Sequence, residues 1–456
     1  MIGDEQSTGP REGGPTMGFF DKYTAVIEKT ETIKHIGRVR RVRGMMIESF
    51  GPQAVVGELC HIQLPDRSIS AEVVGIDGRT VQLMAFEPTD GITVECPVVA
   101  TAEYLSVPVS RKLLGRVLNA LGKPIDGRGE VGSAVHYPVL NPAPDVLERL
   151  PITSQVTTGI RAIDGLIPAG NGQRLGVFSG SGVGKSTVLG MIARNTSADV
   201  NVIALIGERG REVREFIEND LGPEGLARSV IVVSTSDTPP LARLRGAFVA
   251  TAIAEYFRDQ GADVMLLFDS VTRFARAQRE VGLAIGEPPT TRGFPPSVFE
   301  VLPRLLERCG SGTHGTITGF YNILVEGDDM DEPIADAVRG ILDGHIVLSR
   351  RLAQKYHYPA VDVLASVSRL ETKLLSPEQR AAAGKVRRLL AVYAEAEDLI
   401  NVGAYAAGSN RDIDEAIAKM PEINTFLRQE IEDKADLETT HAGIKRLAGM
   451  NGDRGA

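Results

Sequence analysis

The spacing of apolar positions changes along the chain, and each change marks a different kind of structure. Phe19, Phe20, Tyr23, Val26, Ile27, Thr30 and Ile33 recur at helical spacing, with Asp21, Lys22, Glu28 and Lys29 between them. This predicts a short amphipathic helix over 19–36. Its apolar face has two readings of equal standing: packing on its own chain, or docking on another protein. Residues 1–18 hold Gly, Pro, Ser, Thr and charge and read as a disordered tail, with Met1 and Met17 both possible starts. From 37 to 106 the pattern shortens. Val55 to Leu59, Ala71 to Gly75 and Val81 to Met84 read as strands, and Asp77-Gly78 supplies a tight hairpin. Regularly spaced short strands predict a small β-barrel.

From 107 to 378, apolar runs at 201–206, 230–233, 264–268 and 316–321 alternate with helical stretches such as 211–221 and 241–259. That alternation predicts a mainly parallel sheet covered by helices. From 379 to 456 strong helix formers dominate. Val386, Leu389, Leu390, Tyr393, Leu399 and Ile400 fit one amphipathic helix, Gly403 and Gly408 interrupt it, and Pro421 suits the first turn of a later one.

Composition narrows the class. The 456 residues include 49 Gly and 25 Pro with ordinary apolar content, which fits a loop-rich globular protein of two or three domains. No apolar run approaches the roughly 20 residues of a membrane span. The first residues lack the basic and apolar parts of a secretory signal. Cys60, Cys96 and Cys309 have no metal-ligand spacing, and an odd count leaves one unpaired within a chain, so a reducing cytoplasm is the simplest setting. The net charge of −9 argues against a chain built to coat nucleic acid.

The strongest chemical signal is the run Ser179, Gly180, Ser181, Gly182, Val183, Gly184, Lys185, Ser186, Thr187. An apolar run, Leu175 to Phe178, precedes it, and the helical Val188 to Ala193 follows. Strand, glycine-rich turn and helix form a phosphate-binding loop. Its backbone N–H groups and the helix N-terminus favour phosphate oxygens. Lys185 can reach the β- and γ-phosphates, and Ser186 can ligate Mg²⁺. The motif's usual first glycine is Ser179 here, small enough to be tolerated.

Two further carboxylates follow strands. Val264 to Phe268 ends in Asp269, suited to hold the Mg²⁺ shell from the strand neighbouring the phosphate loop. Ile206 leads into Gly207-Glu208-Arg209-Gly210-Arg211-Glu212. Glu208 at a strand end can activate water near the γ-phosphate. Glu212, one helical turn on, can support the metal's water shell, or the segment is a solvated charged loop.

These motifs, with Asp269-Ser270-Val271-Thr272-Arg273-Phe274 and Ser366-Val367-Ser368-Arg369, occur in an order that closely resembles the catalytic subunits of rotary ATP synthases and the type III secretion ATPases. The resemblance covers about residues 20 to 440. Gly190 to Arg194, Ile285 to Pro289, Phe294 to Phe299, Ile341 to Arg350 and Val402 to Ser409 resemble the flagellar export branch, with the injectisome ATPases close behind. The resemblance implies an N-terminal barrel, a RecA-type nucleotide domain over 107–378 and a C-terminal helical domain. It implies ATP as substrate with Mg²⁺, hydrolysed to energise flagellar protein export. It further implies that Glu208 is the catalytic carboxylate, that Lys185, Ser186 and Asp269 hold phosphate and metal, and that Arg209 and Arg273 contact phosphate or relay its state. Tyr358 matches the adenine-stacking tyrosine, against the plainer reading of a core tyrosine. Arg369 matches an arginine that enters the neighbouring subunit's site, against a structural ion pair.

A chain carrying both Glu208 and Arg369 can complete its site with a copy of itself, which permits a homohexamer. The implied partners are a stator-like regulator at the N-terminus, a coiled-coil stalk, export chaperones with cargo, and a membrane export gate, for a chain cytoplasmic and peripheral to that gate. The acidic segment Glu326 to Glu332 reads equally as a stalk-facing loop or a solvated one. Rivals are an injectisome ATPase, a rotary synthase subunit and an RNA translocase; for the last, the barrel offers few aromatics, chiefly Phe50 and Phe86.

Overall fold

The computed structural model describes residues 35–450 apart from Ala134, Glu326 and Asp328. The expected tail and nearly all of the expected helix over 19–36 lie outside the described residues, and Ile36 opens the first strand.

Six strands close into a barrel in the order Ile36–Arg43, Met46–Phe50, Thr80–Ala85, Ser68–Asp77, Glu58–Gln63, Pro97–Tyr104. Alternate side chains point inward, so Cys60, Ile62, Ile69, Ala71, Val73, Val81 and Leu83 form one buried core. The hairpin after Asp77 turns at Gly78, whose φ of 58° costs a glycine nothing. The strand expected from Val55 starts only at Glu58. Gly57 has a φ of 90°, which ends extended pairing, and Val55 and Val56 are exposed. The buried Glu58 carboxylate instead accepts the N–H groups of Val55 at 2.9 Å and Ala102 at 2.8 Å. Arg245 joins the barrel to the next domain through a bidentate pair with Glu72, its Nε lying 2.8 Å from Oε2.

The central sheet has nine strands among the described residues. Eight lie in the order Val361–Ser368, Gly344–Leu348, Arg174–Ser179, Thr316–Leu324, Asp263–Asp269, Val200–Ile206, Ser229–Ser234, Val117–Asn119, and Gly310–Ser311 pairs with Thr316–Leu324. The pairings from Gly344–Leu348 to Val117–Asn119 are parallel, and Val361–Ser368 is an antiparallel edge. Val200–Ile206 is buried at all seven positions because helices cover both faces. Val202, Ala204 and Ile206 pack with Leu244, Phe248 and Ala252 of the helix Pro240–Asp259. Ile203 and Leu205 pack on the other side with Leu189, Met191 and Ile192 of the helix Lys185–Asn195. One expectation fails: the strand ending in Asp269 is not beside the phosphate-loop strand, because Thr316–Leu324 lies between them.

The C-terminal part forms helices Pro377–Asn401, Arg411–Leu427 and Leu437–Leu447. The first starts with a reciprocal cap between Ser376 and Gln379, and Ala382, Ala383, Val386 and Leu389 are buried. Pro421 does not open a helix. Asn410 caps the second helix, accepting from the N–H groups of Asp412 and Ile413, and Pro421 sits inside it. An interior proline costs roughly 3 kcal/mol of helix stability, which the buried Ala416, Met420, Ile423 and Leu427 on that helix offset.

Candidate functional site

Parallel strands bring their C-terminal ends to one edge of the sheet, which is why separate sequence motifs meet. Ser179 closes one strand, Asp269 another, and Gly207-Glu208 follow a third. The loop after Ser179 turns through Gly182 (φ 78°) and Gly184 (φ 87°), conformations that disfavour any residue with a Cβ. Gly184 is the N-cap of helix Lys185–Asn195 and supplies no side-chain cap, which leaves the first-turn N–H groups for an anion. Val183 is buried beneath the loop, Thr187 hydrogen-bonds Asp220, and the Ser179 hydroxyl lies 3.4 Å from Asn322 Oδ1. The loop, with Ser186, Glu208, Arg209, Glu212 and Arg273, lines a cleft of about 710 Å³.

A charged cluster occupies the floor of this cleft. Lys185 Nζ donates to Asp269 Oδ1 at 2.8 Å and to Glu208 Oε1 at 3.2 Å. Arg273 Nη2 lies 3.2 Å from Glu208 Oε2, and its Nη1 donates to the Gly207 carbonyl. Glu208 and Asp269 are each only 4% exposed. Burial pushes Glu208 up to about 8; the charge of Asp269 adds to this, and Lys185 and Arg273 oppose it. Burial alone would lower Lys185, but Asp269 and Glu208 outweigh it and hold the ammonium above its ordinary value. Glu212 is lowered, first by a hydrogen bond from Glu208 and then by Arg209 and Arg273. The contact between Glu208 and Glu212 thus favours the proton on Glu208 and the charge on Glu212. Arg209, largely exposed, pairs with Glu212 at 3.4 Å.

Tyr358 is 42% exposed beside the loop, with ring carbons 3.6 Å from where a Cβ on Gly184 would stand. It is not a core tyrosine. Arg369 does not reach this cleft. It follows Ser368, which pairs with Gly344, whereas Ser179 pairs with Leu348 at the other end of the same strand. Its Nη2 donates to the Arg339 carbonyl at 3.2 Å.

Residues 159–368 match the model of the ATP synthase alpha/beta family nucleotide-binding domain, and residues 39–102 that of the same family's beta-barrel domain. Residues 375–446 match the T3SS EscN ATPase C-terminal domain. The chain belongs to the ATP synthase alpha/beta family. It is 59% identical to a flagellum-specific ATP synthase of Treponema pallidum (strain Nichols), across 94% of this chain and 97% of that protein. It is 54% identical to a flagellum-specific ATP synthase of Bacillus subtilis (strain 168), across 93% and 97%. Among solved structures it is similar to the assembled ATPase EscN of enteropathogenic E. coli, with TM-score 0.86 and 43% identity over 90% of this chain and 100% of that one. The chain is a P-loop ATPase, and the phosphate loop of this cleft lies within its nucleotide-binding domain.

The fold also brings to this cleft and its surroundings residues that sequence reasoning missed. Asn322 Nδ2 donates to Asp269 Oδ1 at 2.8 Å, because Asn322 stands opposite Asp269 on the intervening strand. Arg276 and Arg350 line the cleft with the phosphate loop. Gln429 donates its backbone N–H to the Tyr358 carbonyl at 2.9 Å. A lone amide, Asn322, within the mostly apolar strand Thr316–Leu324 signals the first of these weakly; nothing local signals Gln429.

Proposed function

We propose that this chain hydrolyses ATP as a homohexamer to energise flagellar protein export. The observation that carries the hydrolytic reading is the cluster of Lys185, Glu208 and Asp269 within 3.2 Å at the end of a phosphate loop. The flagellar assignment rests on the relatives at 59% and 54% identity. A type 3 secretion system ATPase of Xanthomonas euvesicatoria at 51% over 89% of this chain supports an injectisome ATPase as the second reading.

Lys185 donates to both Asp269 and Glu208, so phosphate oxygens must take over from them as its partners. Mg²⁺ prefers oxygen ligands and usually keeps several waters while sharing substrate phosphates. The Ser186 hydroxyl and the Asp269 carboxylate fit that preference, and Glu212 fits a water-mediated contact. The ion would neutralise charge on the phosphates. Released from Lys185, Glu208 accepts the proton of the attacking water; its raised affinity for a proton suits a base near neutral pH. Arg209 and Arg273 contact phosphate, and the ring of Tyr358 stacks on adenine.

Arg369 completes the site of a neighbouring subunit, where a guanidinium supplied in trans is worth roughly 10³–10⁵ in turnover in other phosphate-loop enzymes. EscN has been solved assembled and with its central stalk EscO, which supports a ring and a coiled-coil stalk here. A stator-like regulator binding the segment before residue 36, export chaperones with cargo and a membrane gate complete the assembly. Among the described residues no helix is long and apolar enough to cross a membrane, which suits a peripheral position at the cytoplasmic face of the gate.

Mixing tests the shared site. Lys185→Ala chains mixed with Arg369→Ala chains should recover part of the parental activity, because a mixed ring holds some intact interfaces. Mixed rings that form and stay inactive would falsify the trans arginine. In the native organism, a strain carrying Glu208→Gln should lose motility and export of filament subunits. Normal flagella with defective effector secretion would favour the injectisome reading.

A further inference from the structure

Gln429 lies two positions beyond helix Arg411–Leu427 and is buried at 6% exposure. Its backbone N–H donates to the Tyr358 carbonyl at 2.9 Å. Its side chain reaches the segment ahead of the phosphate-loop strand. Nε2 donates to the Gly159 carbonyl at 2.7 Å and to the Asp433 carbonyl at 3.2 Å, and Oε1 accepts the Arg161 N–H at 3.0 Å. A primary amide can give two hydrogen bonds and accept another at this length; a carboxylate has no donor. The Arg161 guanidinium returns the contact, donating to the Arg428 carbonyl at 2.6 Å.

Gly159 is itself packed against the far end of the phosphate-loop helix. A Cβ there would fall 2.3 Å from Asn195 Cβ. One residue therefore links the last turn of the helix that begins at Lys185, through its side chain on Gly159, to the carbonyl of the tyrosine beside Gly184, through its backbone N–H. We infer that Gln429 is a positioning residue for the nucleotide base: it fixes Tyr358 relative to the phosphate-loop helix, so base recognition depends on the docked C-terminal helices. The inference rests on the reading of Tyr358 as the base-stacking residue.

The test compares ADP with inorganic tripolyphosphate, which has the phosphates and no base, on the full chain. Gln429→Ala should weaken ADP binding about threefold to tenfold, the range for losing a buried hydrogen bond, and leave tripolyphosphate binding unchanged. Gln429→Glu keeps the length and the acceptor for Arg161 while losing the donor, and should show the same selective loss if the alanine variant folds poorly. Added to Tyr358→Ala, neither variant should weaken ADP further, since both act through the ring. Equal losses for ADP and tripolyphosphate, or no loss for either, would overturn the proposal. If Tyr358→Ala itself leaves ADP binding intact, the base-stacking reading fails first. If Tyr358→Ala weakens ADP and Gln429→Ala does not, only the positioning role fails.

Discussion

The two ends of the nucleotide cleft are built on different plans. At the phosphate end, Lys185, Glu208 and Asp269 come from the ends of elements in one parallel sheet, and the two carboxylates are almost wholly buried. Hydrogen-bonded strand register sets their separation, so the geometry exists before any ligand arrives. At the base end, Tyr358 stands on a loop, half exposed, and is held by a residue of the C-terminal part. The bond from Gln429 to Gly159 spans 270 positions of sequence. On the proposed reading, phosphate recognition belongs to one domain, while base recognition requires two to be docked. That reading predicts that disturbing the docked C-terminal helices weakens the hold on the base and leaves the groups at the phosphate end in place.

The largest test of this contrast is Glu208→Gln. It should lower phosphate release by about 10²–10⁴-fold, the usual worth of a positioned base, and leave ADP binding near parental. Turnover close to the parental rate would remove Glu208 from the chemistry. Next is Lys185→Ala. It should weaken ADP and tripolyphosphate alike, by roughly tenfold to a hundredfold, because a charged hydrogen bond is worth about 1.5–3 kcal/mol. Binding titrations in which only one ligand weakens would contradict an end devoted to phosphate. Tyr358→Ala should be milder and selective, costing ADP about 1 kcal/mol, or about fivefold, and tripolyphosphate nothing.

The smallest effect concerns pH and stability without nucleotide. Glu208 holds its proton more tightly folded, up to about 8, than its ordinary carboxyl value. The folded state then binds more protons than the unfolded chain between those values. Its contribution is full below the unfolded pKa and is lost as pH rises toward about 8. Asp164 acts in the same direction: burial raises it to about 7, although it accepts hydrogen bonds from Thr158 and Gly159. Glu212 is depressed and works the other way, its contribution disappearing only in acid. The Tm of the nucleotide-free chain should therefore fall from about pH 5 to pH 8. Glu208→Gln should flatten part of that fall and leave the Asp164 share. An unchanged slope would mean that Glu208 is already ionised throughout.

What could be read without coordinates was what is written contiguously. The phosphate loop is nine adjacent residues whose φ demands, helix start and cation are all local, so Ser179 to Thr187 were recognisable at once. The apolar runs of the parallel strands were equally plain, because strands covered on both faces need no polar alternation. Glu208 and Asp269 were legible as strand ends, and their proposed roles rest on the family resemblance. Pro421 misled, since its local preference for a first turn lost to the packing of Ala416, Met420 and Ile423 along a helix already capped by Asn410. Tertiary structure alone decided the rest. Sheet order put Thr316–Leu324 between the phosphate loop and Asp269, which brought Asn322 onto that carboxylate. Docking of the C-terminal helices brought Gln429 to Tyr358 and Gly159. Neither pairing has a local signature, because strand order and domain docking are set by the summed burial of many side chains rather than by the residues that finally touch.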